Sequence, residues 1–370
     1  MDLPQPDTEQ QRHSLNLQEH IRQQIQQAGG WIPFSRYMEL CLYAPGLGYY
    51  SAGLCKFGPQ GDFVTAPELG SLFARTLARC FNRHLEHLNG GDILELGGGS
   101  GQLAADVLLQ LERDGRLPER WLMLERSADL RRRQQEALQA AVPHLMDRIH
   151  WLDVLPENLP AGVVYGNEVL DAMPVEILQL RSDDVHQLGV TAEASLRLQW
   201  QQAPETLSEC FRQRLPDECQ PGYISELCPG LDAWMDAIGG IFQRGYWLFS
   251  DYGYRRTAYY HPQRRRGSLQ CHYRHRAHDD PLFWPGLQDI TAHVDFDAVA
   301  EAMHKAGLSV DFIQYQSHFL LEHGLTNLAE ASLTEGDSLE KSIRIANEIK
   351  RLTLPGEMGE RFMFIQASRM

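Results

Sequence analysis

The stretch Ile93–Leu103, ILELGGGSGQL, decides how the rest of this chain is read. A short apolar run carrying one acid, Glu95, ends in glycines at 97, 98, 99 and 101. Glycine is needed where a chain turns sharply out of a strand and where backbone must come close to a ligand. From the strand, the pattern is E-x-G-x-G-x-G. A dinucleotide fingerprint begun at Gly97 would require a glycine at 102, where the chain has Gln102, so a nicotinamide enzyme is a distant reading.

Outward from this turn, strands and helices alternate. QLAADVLLQLER carries Leu103, Val107, Leu108 and Leu111 on one helical face, and WLMLE, IHWLDV and GVVYG read as the next three strands. Such alternation predicts a parallel sheet wrapped by helices. After Glu176 the order breaks into a small antiparallel meander over 176–203, then a predicted helix, ISELCPGLDAWMDAIGGIF. GYWLFSDYGY is a fifth strand of the sheet, FDAVAEAMHKAG a helix, and LSVDFIQYQ and RFMFIQASR two closing strands. Ahead of the sheet, a tail over 1–16 leads to a helix from Leu17 to Ala28, stopped by Gly29-Gly30, and to a second helix, FSRYMELCLY. The expected division is therefore a flexible tail at 1–16, an N-terminal helical cap at 17–90 and a catalytic domain at 91–370 with insertions at about 177–240 and 254–290.

The chain has 370 residues, 34 Lys plus Arg against 49 Asp plus Glu, and a net charge of −15. That field repels polyphosphate and disfavours nucleic acid as a partner. Seven scattered cysteines without a C-x-x-C argue against a disulfide framework or structural zinc. The acidic, glutamine-rich start lacks a signal peptide's apolar core, and no run of about 18 apolar residues spans a membrane, so a cytoplasmic location is expected. The oligomeric state is left open, a homodimer included.

An acid inside the strand, two residues before the first glycine, resembles the donor loop of class I S-adenosylmethionine-dependent methyltransferases. The resemblance implies that Glu95 orients the amino-acid end of the cofactor beside Gly97, Gly98, Gly99 and Gly101. It also implies that Glu125, at the end of the second strand, binds the ribose hydroxyls, and that Asp153, after the third, reaches the adenine amino group.

Six blocks extend the likeness. KFGPQGDFVTAPELG, ILELGGGSG, YGNEVLDAMPVE, DYGY, LQDITAHVDF and MGERFMFIQ resemble, in this order, blocks of the MidA family of methyltransferases. This covers the chain from about Gln18 to the C-terminus. The resemblance implies an α/β fold of the class I, Rossmann-like kind. Its sheet would have seven mostly parallel strands and one reversed edge strand, with an N-terminal helical cap and insertions after strands four and five. It also implies S-adenosyl-L-methionine as cofactor. The family's best-known members are mitochondrial proteins that assist assembly of respiratory complex I by symmetric dimethylation of an arginine, so a protein substrate, such as a respiratory complex subunit, is the implied partner. The glycine loop departs from the G-P-G-R-G of the mitochondrial branch, and the chain looks like a bacterial relative.

On this reading the carboxylates of VVYGNEVLDAMPVE wait for a cation, because burying them otherwise is costly. A guanidinium is planar, stays charged and pairs with carboxylates in bidentate fashion. Glu168 is the expected principal clamp, with Asp171 or Glu176 second, and Asn167 is placed with the cofactor. The alternatives are methyl transfer to a small molecule or another side chain, and a cofactor-binding assembly factor without turnover. Asp62, Thr65 and Glu68 of GDFVTAPE are expected to add polar contacts to the cofactor. Cys271, His272, His275 and His278 are metal-ligand types, but the intervening arginines would repel an ion, and no metal is assigned. The arginines of GYRRTAYYHPQRRRG suit a rim that meets an acidic face of a protein substrate, whereas Arg131 to Arg133 read as a solvated face.

Overall fold

The computed structural model describes residues 3–52, 66–125, 127–333 and 338–370. The chain forms two compact units from interleaved segments. One is made of Met1–Phe63, Asp171–Leu231 and Tyr254–Asp297, the other of Val64–Leu170, Asp232–Gly253 and Ala298–Met370.

The second of these units is built on the main sheet. Its strands are β1 (Asp92–Leu96), β2 (Trp121–Leu124), β3 (Ile149–Leu152), β4 (Leu159–Asn167), β5 (Phe242–Tyr254), β6 (Ser309–Tyr315) and β7 (Phe362–Arg369). They lie in the order β3-β2-β1-β4-β5-β7-β6. The first five strands run parallel. β7 is antiparallel to both β5 and β6. The reversed strand is therefore one place in from the edge, not at the edge as expected. Only there can the C-terminal strand pair with both β5 and β6 and bury its row from Phe362 to Ala367.

β1 and β4 are neighbours, and the sequence order of the strands reverses between them. In open parallel sheets, that reversal leaves a crevice at the carboxyl ends where ligands bind. The helices Leu72–Leu88 and Gln102–Arg113 supply Phe73, Leu77, Phe81, Val107 and Leu108 to the core that covers the sheet.

The other unit holds the helices Thr8–Gln27 and Phe34–Tyr43. It also holds a five-stranded sheet in which Val185–Ala192 pairs with Trp31–Pro33, Glu176–Leu180 and Leu196–Gln202. Two expectations change here. The first helix starts at Thr8, not Leu17, because Asp7 caps it and Gln10 returns the bond to the Asp7 amide. Its first turns carry no apolar periodicity, and Ser14 is buried by a bond to the Pro285 carbonyl at 2.8 Å. Ile224–Leu227, read as the start of a helix, is a strand paired with Glu176–Gln179, and the helix begins only at Leu231, beyond Pro229-Gly230.

Within the main-sheet unit, His84 is buried, stacks on Tyr246 at 3.8 Å and meets the Gln366 side chain at 2.7 Å. Burial pushes its pKa down from 6.5 to about 4. The folded protein keeps this imidazole neutral, so its contribution to stability is present above pH 6.5 and is lost as pH falls through about 4. We expect the acid arm of the stability curve to flatten in His84→Gln, by about 3 kcal/mol at most between pH 7 and 4. Urea unfolding of both proteins across that range measures this, and identical slopes would refute it.

Candidate active site

The turn after β1 is shaped by its glycines. Gly97, Gly99 and Gly101 have φ of 68°, 49° and 82°, in the left-handed region that favours glycine. Space is as restrictive as backbone angle. A Cβ on Gly97 would lie 2.7 Å from Cγ1 of Val169, and one on Gly101 would lie 3.1 Å from Cα of Gln134. The loop is pressed between the segment after β4 and the helix Ala128–Ala141, and its exposed side is backbone.

Glu95 is 2% exposed within β1. Its Oε2 accepts a bond from Trp121 Nε1 at 3.1 Å. Burial pushes its pKa up to about 7, against a smaller lowering by the Trp121 bond. A buried carboxyl next to left-handed backbone is costly in isolation, and a cationic ammonium group supplied by a ligand would complete it.

Glu125 follows β2. Its Oε1 accepts from the Ser127 amide at 2.8 Å and its Oε2 from Gln134 Nε2 at 3.2 Å. Gln134 also donates to the Gly99 carbonyl at 3.1 Å and accepts from Trp151 Nε1 at 2.9 Å. One buried amide thereby ties the acid, the glycine loop and β3 together. Arg131 donates to the carbonyls of Glu125 at 3.0 Å and Leu152 at 3.2 Å, and to Asp153 Oδ1 at 2.7 Å. Arg131 and Gln134 are the residues that the sequence reading missed. On a helix rich in Arg and Gln, periodicity alone cannot separate a bridging side chain from a solvated one. Asp153 is largely exposed and paired with Arg131 at the end of β3.

Asn167 and Glu168 close β4. Glu168 has φ of 53°, an uncommon value for a residue other than glycine, and its amide donates to the Ser250 carbonyl at 2.9 Å. Asn167 Nδ2 donates to Glu168 Oε1 at 3.1 Å. Two residues on, the Leu170 amide donates to Oδ2 of the buried Asp251 at 2.9 Å.

Asp171 and Glu176 belong to the other unit. Asp171 is buried, and its carbonyl accepts from the Ala292 amide at 3.0 Å. Burial first, and then the carboxylates of Asp289 and Asp171, hold Tyr50 well above the ordinary phenol range, and Tyr50 donates to Asp289 at 2.9 Å. Glu176 is also buried, and burial raises its pKa against bonds from Gln187 and Ser35. Glu68 lies in the short helix Ala66–Leu69, whereas Asp62 and Thr65 fall outside the described residues. Cys271 and His278 face each other across a hairpin. Among the described residues, no group of three His, Cys, Asp or Glu side chains converges as a metal site, and no helix is long and apolar enough to cross a membrane.

A class I sheet with a glycine turn after β1 and an acid at the end of β2 fits a nucleoside-containing sulfonium cofactor. Residues 72–314 match the family model of S-adenosyl-L-methionine-dependent methyltransferases, and the chain belongs to that family. A crystal structure from Burkholderia thailandensis bound to S-adenosyl-homocysteine has 41% identity and a TM-score of 0.94, covering 100% of this chain and 95% of that one. The mitochondrial protein arginine methyltransferase NDUFAF7 homolog of Drosophila melanogaster is 28% identical over 95% of this chain and 84% of its own length. Its Mus musculus counterpart is 27% identical over 93% and 82%. The protein is thus an S-adenosylmethionine-dependent methyltransferase.

Two outcomes test this site. If Glu95 meets a cationic end of the cofactor, binding of S-adenosyl-homocysteine tightens several-fold from pH 6 to 8 as the carboxyl ionises through about 7. In Glu95→Gln the affinity is lower and flat over that range. Calorimetric titration decides, and an unchanged pH slope in the variant would remove Glu95 from the contact. Gly97→Ala places a Cβ against Val169 at positive φ, so a folded variant should lose cofactor binding by at least about tenfold.

Proposed function

We propose that this methyltransferase transfers methyl groups to an arginine side chain of a protein, with Glu168 as the principal clamp on the guanidinium. The observation that carries the reading is the placement of Glu168. It follows directly on β4, in register beside the strand that leads into the glycine turn, and Asn167 holds its carboxylate. The relatives named protein arginine methyltransferases, at 24–28% identity, support the same class of acceptor.

When bound, S-adenosylmethionine supplies an electrophilic methyl group. The protein's own part is positioning and charge. A carboxylate accepting two N–H bonds fixes the plane of a guanidinium, so one nitrogen can be aimed along the line of transfer. It also keeps the cation in a site that has little water to solvate it. Asp171 and Glu176 belong to the other unit, where Glu176 is engaged by Ser35 and Gln187. We place the enzyme in the cytoplasm. Seven scattered cysteines without a C-x-x-C suit a reducing compartment.

The test is transfer of radiolabelled methyl groups into lysate from a source strain lacking this protein, followed by acid hydrolysis of the labelled band. Dimethylarginine in a protein band is the expected product. Label on another residue, or on a small molecule alone, would discard the guanidinium clamp. Glu168→Gln should keep cofactor affinity within about threefold while transfer falls by at least about a hundredfold, since it removes charge stabilisation made only on the acceptor. Parallel loss of both quantities in a folded variant would reassign Glu168 to the cofactor.

A further inference from the structure

Two consecutive residues of the neighbouring strand, Ser250 and Asp251, bond to the segment that carries Glu168. Ser250 is fully buried on β5, directly across from Asn167 in the parallel register. Its carbonyl accepts the Glu168 amide at 2.9 Å, which fixes the left-handed turn of that residue. Its hydroxyl donates to Asn167 Oδ1 at 2.7 Å and lies 3.1 Å from the hydroxyl of Tyr165, whose own distance to Asn167 Oδ1 is 3.4 Å. Asp251 then takes the Leu170 amide.

These bonds leave the Asn167 amide one orientation. A side-chain amide has one acceptor end and one donor end, and a carboxylate can only accept, so Glu168 settles which end is which and the Ser250 hydroxyl holds the opposite, oxygen end. With Oδ1 accepting from Ser250, Nδ2 must face the other way, where it donates to Glu168 Oε1 at 3.1 Å. If the amide flipped, it would present its oxygen to a carboxylate oxygen.

We infer that Ser250 is a positioning residue for methyl transfer: by holding Oδ1 of Asn167, it fixes the amide whose Nδ2 bonds the Glu168 carboxylate, and so aims that carboxylate. The inference rests on the clamp reading of Glu168 for its catalytic meaning, but the relay itself can be measured without an acceptor. A donor bond to a carboxylate favours the charged form, so losing it moves the titration to higher pH. Among the described residues, Glu95, Tyr165, Asp251 and Cys80 are ionisable groups of this corner, and the substitutions below leave them in place.

The experiment follows the carboxyl carbon of Glu168 by NMR in full-length protein labelled at glutamate, with the signal assigned by its absence in Glu168→Gln. In Ser250→Ala we expect the titration midpoint of Glu168 to rise by about half a pH unit or more, and in Ser250→Thr, which keeps a hydroxyl, to return toward wild type. Asn167→Ala should reproduce the Ser250→Ala shift, and it covers the case in which the threonine is too large for the buried site. Methyl transfer into the deficient lysate should fall about tenfold in Ser250→Ala, with S-adenosyl-homocysteine affinity and melting temperature near wild type. An unmoved midpoint in folded Ser250→Ala and Asn167→Ala overturns the relay, and a moved midpoint with undiminished transfer overturns its positioning role. Full transfer by Glu168→Gln would instead defeat the clamp reading, an outcome distinct from both.

Discussion

Everything at this site depends on one close packing contact. The Val169 side chain occupies space that a Cβ on Gly97 or on Gly166 would need, at 2.7 and 2.6 Å respectively. The two glycines belong to neighbouring strand ends, and the valine fills the notch between them. Protein interiors are packed to crystal-like density, so such a contact tolerates little adjustment. It locks the glycine turn to the segment that carries Glu168, so neither can move far without the other. A methyl transferase needs that rigidity, because a misplacement of about 1 Å between reacting groups can cost a hundredfold in rate.

Around this contact the structure holds several groups in states that water would not favour. Glu95 is a carboxyl with a pKa near 7, and Glu168 is a non-glycine residue in left-handed conformation. Strain and desolvation of this kind persist only where surrounding bonds over-determine them. Trp121 does so for Glu95, and the Ser250 carbonyl and Asn167 amide do so for Glu168. Gln134 plays the equivalent part for Glu125, with Trp151 behind it. Each acid at a strand end is thus set by a partner on a different element.

How much of this was legible beforehand follows from what kind of signal each residue leaves. Glycines at 97, 99 and 101 announce themselves, because few other residues accept their backbone angles. Parallel strands with apolar runs are easily read, and the alternation of β1 to β3 with helices was plain for that reason. The start of the first helix and the strand Ile224–Leu227 were not, since capping polar residues and a short mixed strand carry no clear period. Arg131 and Gln134 were hidden in a run of polar helical residues, and only their partners distinguish them from their neighbours.

The chain's sequence by itself determined the class of sheet, the position of the cofactor turn and the acids nearest it, because these follow from local steric limits and hydrophobic period. Which acid does what was decided by tertiary structure. Glu168 and Asp171 are three residues apart, yet one belongs to the unit of the main sheet and the other to the unit of the N-terminal helices. Asp153 pairs with an arginine in the open, while Glu176 is buried beside Ser35 and Gln187. A carboxylate's role depends on its burial and on the donors that reach it, and those donors come from strands and helices far away in the chain.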